Sequence, residues 1–201
     1  EGKQIETCFE WSTGPWKSEV YVYSPEVILE CAAQVEGDWA ITHGQFTNVW
    51  VLYDPTGFFP RLERLALFQP QSMFDTAMAE EIVGDIYELV GKVRNAREKA
   101  AYGSLPLYEI HTALHAAWLL GLAHRHLYTT SSVLFTESLG LSERPDGYDA
   151  LCQAVINGTL SDPLYNIALV EDYWQGVTTW ANRRGLPIET TLEKILTDEP
   201  N

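Results

Sequence analysis

Hydrophobic and polar residues alternate through the first part of the chain, as they do in half-buried β-strands. Residues 3–11 alternate, residues 12–15 (STGP) supply turn chemistry, and residues 16–23 (WKSEVYVY) alternate again, which predicts a β-hairpin. Proline is favoured at the first helical position, so Pro25 predicts the start of a helix, in which apolar residues recur at helical spacing up to Gly37.

The pattern changes further along the chain. Residues 46–53 (FTNVWVLY) are rich in β-branched and aromatic residues and end at a turn, so they predict another strand or a short extended segment. From Gln71 onward apolar residues recur at helical spacing, and no strand pattern interrupts them. The predicted helical segments are roughly residues 71–100, 106–127, 131–140, 146–157 and 162–184.

These segments predict an α+β protein. A small N-terminal sheet region, residues 1–69, precedes an up-and-down helical bundle, residues 70–201, with the boundary near Phe68-Gln69-Pro70. A two-stranded hairpin is too small to stand alone and would leave both edges open. We therefore expect the first strand to pair with a partner chain or with a further part of a longer protein.

The composition limits the classes of partner. Thirteen Lys and Arg residues against 28 Asp and Glu residues give a formal net charge of −15, which repels phosphate backbones and argues against nucleic-acid binding. A polycationic partner would be attracted, although acidity also serves solubility alone. No apolar run is long enough to span a membrane and no signal peptide is recognisable, so we expect a soluble cytoplasmic protein with no membrane partner. Three cysteines without a CxxC motif favour small buried residues over disulfides or a thiolate metal site.

Charged residues, three acidic and one basic, lie in a line along the first long helix. Glu81, Asp85, Glu88 and Lys92 are spaced four, three and four residues apart, which places them on one side of a regular α-helix. The ordinary interpretation of such a line is a solvated face with weak salt bridges.

Two further carboxylates lie on the predicted hairpin, one on each strand. Glu10 and Glu19 would present hard oxygen ligands to Mg²⁺ from neighbouring strands, or would simply face water. The neighbours of Glu19 include Trp16, Tyr21 and Tyr23, so we expect it to share an aromatic face, where a lone carboxylate is less easily explained by solvation.

Other motifs point to no established site. His111 and His115 have zinc-ligand spacing on a helix, but no HExxH motif is present, so core or interface histidines are favoured. The absence of GxSxG, P-loop and GxGxxG motifs argues against hydrolase-elbow and Rossmann interpretations.

Several stretches taken together resemble the aminoglycoside 4′-O-nucleotidyltransferases, the kanamycin nucleotidyltransferase family. They are FEWSTGPWKSEV (9–20), QVEGDWAITHGQF (34–46), YELVGKVRN (87–95), HRHLYTTS (124–131) and GYDALCQAVINGTLSD (147–162). The resemblance implies part of a nucleotidyltransferase-fold sheet followed by a helical bundle. It also implies transfer of a nucleoside monophosphate, AMP from ATP with Mg²⁺, to the 4′-hydroxyl of kanamycin-type antibiotics, which confers resistance.

The same resemblance assigns roles to individual residues. Glu19 in WKSEV matches a metal-site carboxylate, and Glu10 in FEW matches an acid that lines the drug pocket. Glu88 in YELVGK matches the catalytic base, Lys92 matches the lysine that holds the triphosphate, and Thr130 in YTTS matches a threonine near the nucleotide. Such a base would work best with a pKa raised toward neutrality by burial at an interface.

The resemblance also concerns the drug and the assembly. Asp85 is assigned to drug binding, next to Gly84, where related enzymes can have a further acid. The family's active enzyme is a dimer with its active site at the interface, Glu19 coming from one subunit and Glu88 with Lys92 from the other.

The family's Gly-Ser signature and its strand with two acidic metal ligands lie upstream of residue 1, so we expect little turnover from residues 1–201 alone. The alternatives are a non-catalytic acidic dimerisation or aminoglycoside-binding module and a related nucleotidyltransferase that acts on a different acceptor.

Overall fold

The computed structural model describes residues 6–188. Along the chain, its regular elements are strands β1 (Glu6–Thr13) and β2 (Trp16–Tyr23), helices α1 (Pro25–Ala33) and α2 (Trp39–Thr42), a 3₁₀ turn (His43–Phe46), α3 (Phe58–Leu67), α4 (Gln71–Glu80), a π-helical segment (Glu81–Ile86), α5 (Tyr87–Glu98), a 3₁₀ turn (Tyr102–Ser104), α6 (Leu105–His124), α7 (Leu134–Leu139), α8 (Tyr148–Asn157) and α9 (Pro163–Arg184). The predicted hairpin, the helix that begins at Pro25 and the helical C-terminal half are confirmed.

Strands β1 and β2 pair antiparallel through a tight turn at Gly14, whose φ of 62° suits a residue without a side chain. The register places Glu10 directly opposite Glu19. Because side chains alternate between the faces of a strand, Trp16 lies on the face opposite to Glu19. The sequence-based grouping of Trp16 with Glu19 was therefore wrong, while Tyr21 does share the face of Glu19.

The opposite face of the hairpin is apolar and exposed. Its large side chains are Phe9, Trp11, Trp16, Val20 and Val22, and Trp16 retains 74% of its surface. Among the described residues, the sheet consists of these two strands. Exposed apolar patches of this kind are typical of interaction surfaces.

The remaining part of this first compact unit contains α1 and α3, which pack around a small core of Ala32, Phe46, Leu62 and Ala66. The carboxylate of Asp54 accepts hydrogen bonds from the backbone N–H groups of Phe58 and Phe59 at 2.9 and 3.0 Å and so starts α3.

Of the two forms predicted for residues 46–53, a further strand or a short extended segment, the strand does not form. The 3₁₀ turn ends at Phe46, and the apolar side chains that follow are largely exposed, Trp50 at 95% and Leu52 at 94%. A strand requires a neighbour for its backbone hydrogen bonds, and β-propensity reflects packing on such a neighbour more than any preference of the backbone itself. No strand in the described part of the chain pairs with this segment.

The second compact unit comprises Val35–Gly44 and the chain from Pro70 onward, so a short early segment packs with the helices. The five predicted helical segments all occur, with ends that differ by a few residues. Helix α6 contacts α4, α5, α7, α8 and α9 and forms the centre of the bundle. The division into domains at residues 69 and 70 stays a prediction.

Helix α6 is apolar nearly all round, as expected for a helix enclosed by others. At Gly121 a Cβ atom would overlap the side chain of Ala40, so glycine allows α2 to pack closely on α6. The backbone N–H of Tyr128 also donates to the carbonyl of Ala40 at 2.8 Å. Through residues 6–188, no helix is both long and apolar enough to cross a membrane.

One carboxyl group lies inside the bundle without a partner. Glu109 on α6 is fully buried, and neither of its carboxylate oxygens has a hydrogen-bond partner among the described residues. Burial raises the pKa of Glu109 to about 7, because the charged form loses its hydration.

This burial predicts a pH-dependent stability. The folded carboxyl group keeps its proton up to about pH 7, whereas the unfolded one releases it near pH 4.5, so the stability it confers is present below pH 4.5 and lost as pH rises through 7. Between about pH 5 and pH 8, the free energy of unfolding of the wild type, measured with urea, should fall by roughly 2–3 kcal/mol relative to that of Glu109→Leu. The exposed Glu98→Leu is the control for removal of a surface carboxylate. A difference between wild type and Glu109→Leu that does not change with pH would contradict the prediction.

Candidate active site

The charged candidate residues of the bundle lie on one long helix that runs from α4 through the π-helical segment into α5. Its buried row of Phe74, Met78, Ile82, Ile86 and Val90 repeats every four residues, and each side chain is at most 1% exposed. A regular helix turns once in about 3.6 residues, so each step of four would drift by about 40° and four steps by about 160°. The wider turns of the π-helical segment absorb this drift and keep the row against the core.

The π-helical segment divides the predicted line of charged residues. Glu81 is 4% exposed, and its Oε1 lies 2.6 Å from Nδ1 of His115 on α6. Asp85, Glu88 and Lys92 remain exposed. The expectation that Glu81 shares a solvated face with the other three was wrong, because a π-helical turn contains more residues than the regular turn on which the expectation rested.

Glu81 and His115 form a hydrogen-bonded pair whose side chains are largely buried. Burial raises the pKa of Glu81, and the charges of Asp85 and Asp38 act in the same direction, while His115 opposes them. Burial opposes the charge on His115, but the hydrogen bond and charge of Glu81 outweigh it, so the pKa of His115 is raised. This pair was not predicted from the sequence, where His115 stood only as a core or interface histidine.

Glu88 and Lys92 form an ion pair on the outer side of α5, with Oε1 and Nζ 2.6 Å apart. The hydrogen bond from Lys92, with its charge, holds the pKa of Glu88 below its usual value. The side chain of Glu88 is 63% exposed. The raised pKa that would best suit a general base is therefore absent in this chain, and the cause is Lys92.

The opposite side of α5 is fixed to α9. Arg94 donates two hydrogen bonds to the carboxylate of Glu171, at 2.9 and 2.8 Å, in a bidentate arrangement. Tyr87 stacks on Trp174 with ring centroids 4.9 Å apart. These contacts set the rotation of α5 and leave Glu88 pointing away from α9.

The hairpin holds a separate cluster of charges. Nζ of Lys17 lies 2.8 Å from Oε1 of Glu10 and 2.5 Å from Oε1 of Glu19, and the hydroxyl of Tyr21 donates to Glu19 at 3.3 Å. The hydrogen bond from Lys17 lowers the pKa of Glu19, which keeps that carboxylate ionised. Paired carboxylate oxygens of this kind are the ligands that Mg²⁺ prefers.

Thr130 lies exposed in the loop between α6 and α7, where its hydroxyl shares a hydrogen bond with Ser132 at 2.7 Å. The loop is held to the bundle by Tyr128, whose hydroxyl donates to the carbonyl of Ala117 at 2.6 Å. The carboxylate of Glu137 accepts from the backbone N–H of Thr129 at 3.2 Å. These contacts hold the loop that carries Thr130 against the bundle.

The predicted site residues other than Thr130, which lies in its own loop, thus form two groups. Glu10 and Glu19 meet at Lys17 on the hairpin, and Glu88 meets Lys92 on α5 with Asp85 one helical turn before it. The two groups belong to different compact units of the chain. Each offers carboxylates and a lysine, the groups that bind metal ions, phosphates and ammonium groups.

The amino-acid sequence was compared with known proteins. Residues 56–187 match the family model described as the KNTase C-terminal domain. The chain is 38% identical over 189 residues to an aminoglycoside nucleotidyltransferase (4′) from Staphylococcus aureus, covering 94% of this chain and 75% of that relative. A protein of the same name from a Bacillus species gives the same values.

The chain belongs to the aminoglycoside 4′-nucleotidyltransferase family. The resemblance drawn from five short stretches is confirmed. Within this family of 4′-nucleotidyltransferases, the matched domain includes Asp85, Glu88, Lys92 and Thr130, whereas Glu10 and Glu19 precede it.

The ion pair on α5 leads to a prediction about titration. Lys92→Met should raise the pKa of Glu88 toward its ordinary value, because the lysine hydrogen bond is the main cause of the depression. Carbon-13 NMR titration of the side-chain carboxyl groups measures this directly. Lys99→Met, at the exposed end of α5, is the control and should leave the pKa of Glu88 where it is. A pKa of Glu88 that does not respond to Lys92→Met would show that the pair does not persist in solution.

Proposed function

We propose that this protein transfers AMP from Mg²⁺-bound ATP to the 4′-hydroxyl of kanamycin-type aminoglycosides and thereby inactivates them. The observation that carries the proposal is the exposed Glu88–Lys92 pair, which places a carboxylate next to a lysine on a rigidly held helix. The names of the two relatives support the reaction class.

The reaction requires a base and charge stabilisation. Glu88 accepts the proton of the 4′-hydroxyl as its oxygen attacks the α-phosphorus of ATP, the bond to the β-phosphate oxygen breaks, and pyrophosphate leaves. Lys92 binds the triphosphate and stabilises the charge on it. Little covalent help is needed, so most of the rate enhancement comes from holding the hydroxyl and the phosphate in line.

Lys92 also links nucleotide binding to the base. Without nucleotide, Lys92 holds Glu88 as a weak base with a lowered pKa. A triphosphate that draws Lys92 away removes the main cause of that depression. We therefore expect Glu88 to become the stronger base only when the nucleotide is bound, which limits unproductive proton transfer.

Glu19 is the residue of this chain that fits Mg²⁺, because its carboxylate is ionised and lies beside a second carboxylate, that of Glu10. Bound there, Mg²⁺ would neutralise charge on the phosphate oxygens. Lys17 occupies these carboxylates in this structure and would have to move from Glu19. The two further metal acids that the family resemblance places upstream would complete the ligand set.

The drug carries several ammonium groups, and the protein carries a formal charge of −15. Asp85 and Glu10 are the acids that we assign to binding these groups. Electrostatic attraction of this kind raises the rate of capture as well as the affinity.

We further propose a homodimer in which Glu19 of one subunit completes a site with Glu88 and Lys92 of the other. The exposed apolar face of the hairpin supports this assembly, since Phe9, Trp11 and Trp16 keep about half or more of their surface, 57%, 49% and 74%. We place the enzyme in the cytoplasm, where its nucleotide is available.

Replacing the base tests the proposal. Glu88→Gln should lower kcat for kanamycin by about 10²- to 10⁴-fold, because the amide cannot accept the hydroxyl proton, while KM changes little. Release of pyrophosphate is measured with ATP and Mg²⁺ in a version of the protein that carries the upstream metal-ligand strands implied by the family resemblance.

Glu98→Gln is the matched control, since Glu98 is an exposed glutamate on the same helix. It should keep the kcat of the unchanged protein. Full activity in Glu88→Gln would refute the role of Glu88 as the base.

A further inference from the structure

A second cluster of ligand atoms lies at the π-helical segment, separate from the Mg²⁺ ligands assigned to the hairpin. One carboxylate oxygen each from Glu81 and Asp85 and one ring nitrogen of His115 all lie within 4.8 Å of one another. The two carboxylates come from one turn of the long helix, and the imidazole comes from α6. Both elements belong to the same packed bundle, so the cluster is held by the core on two sides.

The charges in this cluster do not balance. The carboxylates of Glu81 and Asp85, together with the negative charge of Asp38 nearby, face a single imidazole. Even when His115 is protonated, negative charge remains in excess. Negative charge next to the buried Glu81 is costly unless a cation offsets it.

The backbone around Glu81 is shaped to its carboxylate. A Cβ atom at position 37 would overlap Oε2 of Glu81 where that oxygen now lies, so Gly37 leaves room for it in the loop before α2. The other oxygen, Oε1, is directed to Nδ1 of His115 at 2.6 Å. Asp85 lies exposed at the outer end of the cluster and gives it access to solvent. A metal ion bound there would compete for this carboxylate with the ammonium groups of the drug.

We propose that Glu81, Asp85 and His115 bind a divalent transition-metal ion such as Zn²⁺, with Nδ1 of His115 and one oxygen from each carboxylate as ligands. Metal–ligand bonds of about 2.0–2.2 Å place neighbouring ligand atoms about 3.3 Å apart in a tetrahedral site. To reach that arrangement, Nδ1 of His115 and Oε1 of Glu81, now 2.6 Å apart, must separate slightly, and the exposed Asp85 side chain must adjust its position.

The chemistry of the ligands selects the class of ion. An imidazole nitrogen with two carboxylates suits Zn²⁺ or a neighbouring transition metal, whereas Mg²⁺ and Ca²⁺ prefer oxygen ligands throughout. In the metal-free protein a proton takes the position between Nδ1 and Oε1, so metal binding must displace it. Three protein ligands leave the remaining coordination position to water.

The test is isothermal titration of the metal-stripped protein, residues 1–201, with Zn²⁺ alone near neutral pH, in buffers of different ionisation enthalpy. We expect saturable binding of one ion per chain, accompanied by proton release. His115→Gln and Asp85→Asn should each weaken binding by at least about tenfold. Glutamine can still donate a hydrogen bond to Glu81, and Asp85 is exposed, so both variants should fold, as their thermal midpoints without metal will show.

His111→Gln is the matched control, because His111 is an exposed histidine one turn earlier on α6. It should bind Zn²⁺ as wild type does. Loss of affinity in both His115→Gln and Asp85→Asn supports the site. Unchanged affinity in either variant, or binding that does not saturate at one ion, overturns it. No nucleotide or aminoglycoside is present, so neither result bears on the transfer reaction.

Discussion

The contact between Glu81 and His115 fixes how the central part of the bundle is arranged. It places a carboxylate inside the protein at 4% exposure and ties the long helix to α6 at the point where that helix makes π-helical turns. Those turns allow residues before and after the segment to keep apolar side chains against one core. With Arg94 bound to Glu171 on the other side, the rotation of α5 is determined, and Glu88 with Lys92 must face outward.

In both groups of candidate site residues, a lysine forms ion pairs with the carboxylates. Lys17 bridges Glu10 and Glu19 on the hairpin, and Lys92 holds Glu88 on α5. On the function proposed above, each lysine occupies a carboxylate that a metal ion or a hydroxyl proton would use, and substrates that compete for these lysines would free the carboxylates.

The amino-acid sequence predicts much of this and fails for identifiable reasons. Local patterns suffice for the hairpin and the five helical segments, and five short stretches identify the family. The pattern at residues 46–53 left a strand and a short extended segment open, and no strand forms there, because a strand depends on a neighbour that local composition does not reveal. Glu81 was predicted to be exposed because a helical period of about 3.6 residues per turn was assumed. The apolar residues Phe74, Met78, Ile82 and Ile86 are spaced four residues apart, which is longer than that period and fits the wider turns of the π-helical segment.

The central claim is that the exposed acids of α5 and the π-helical segment receive the drug. The most direct measurement is an NMR titration of the isotopically labelled protein with kanamycin at low and high salt. We expect saturable changes in the chemical shifts of the backbone amides around Gly84, Asp85 and Glu88, and we expect salt to weaken the binding, as it does for an electrostatic contact. Shifts confined to other parts of the bundle, or no saturable shifts at all, would contradict it.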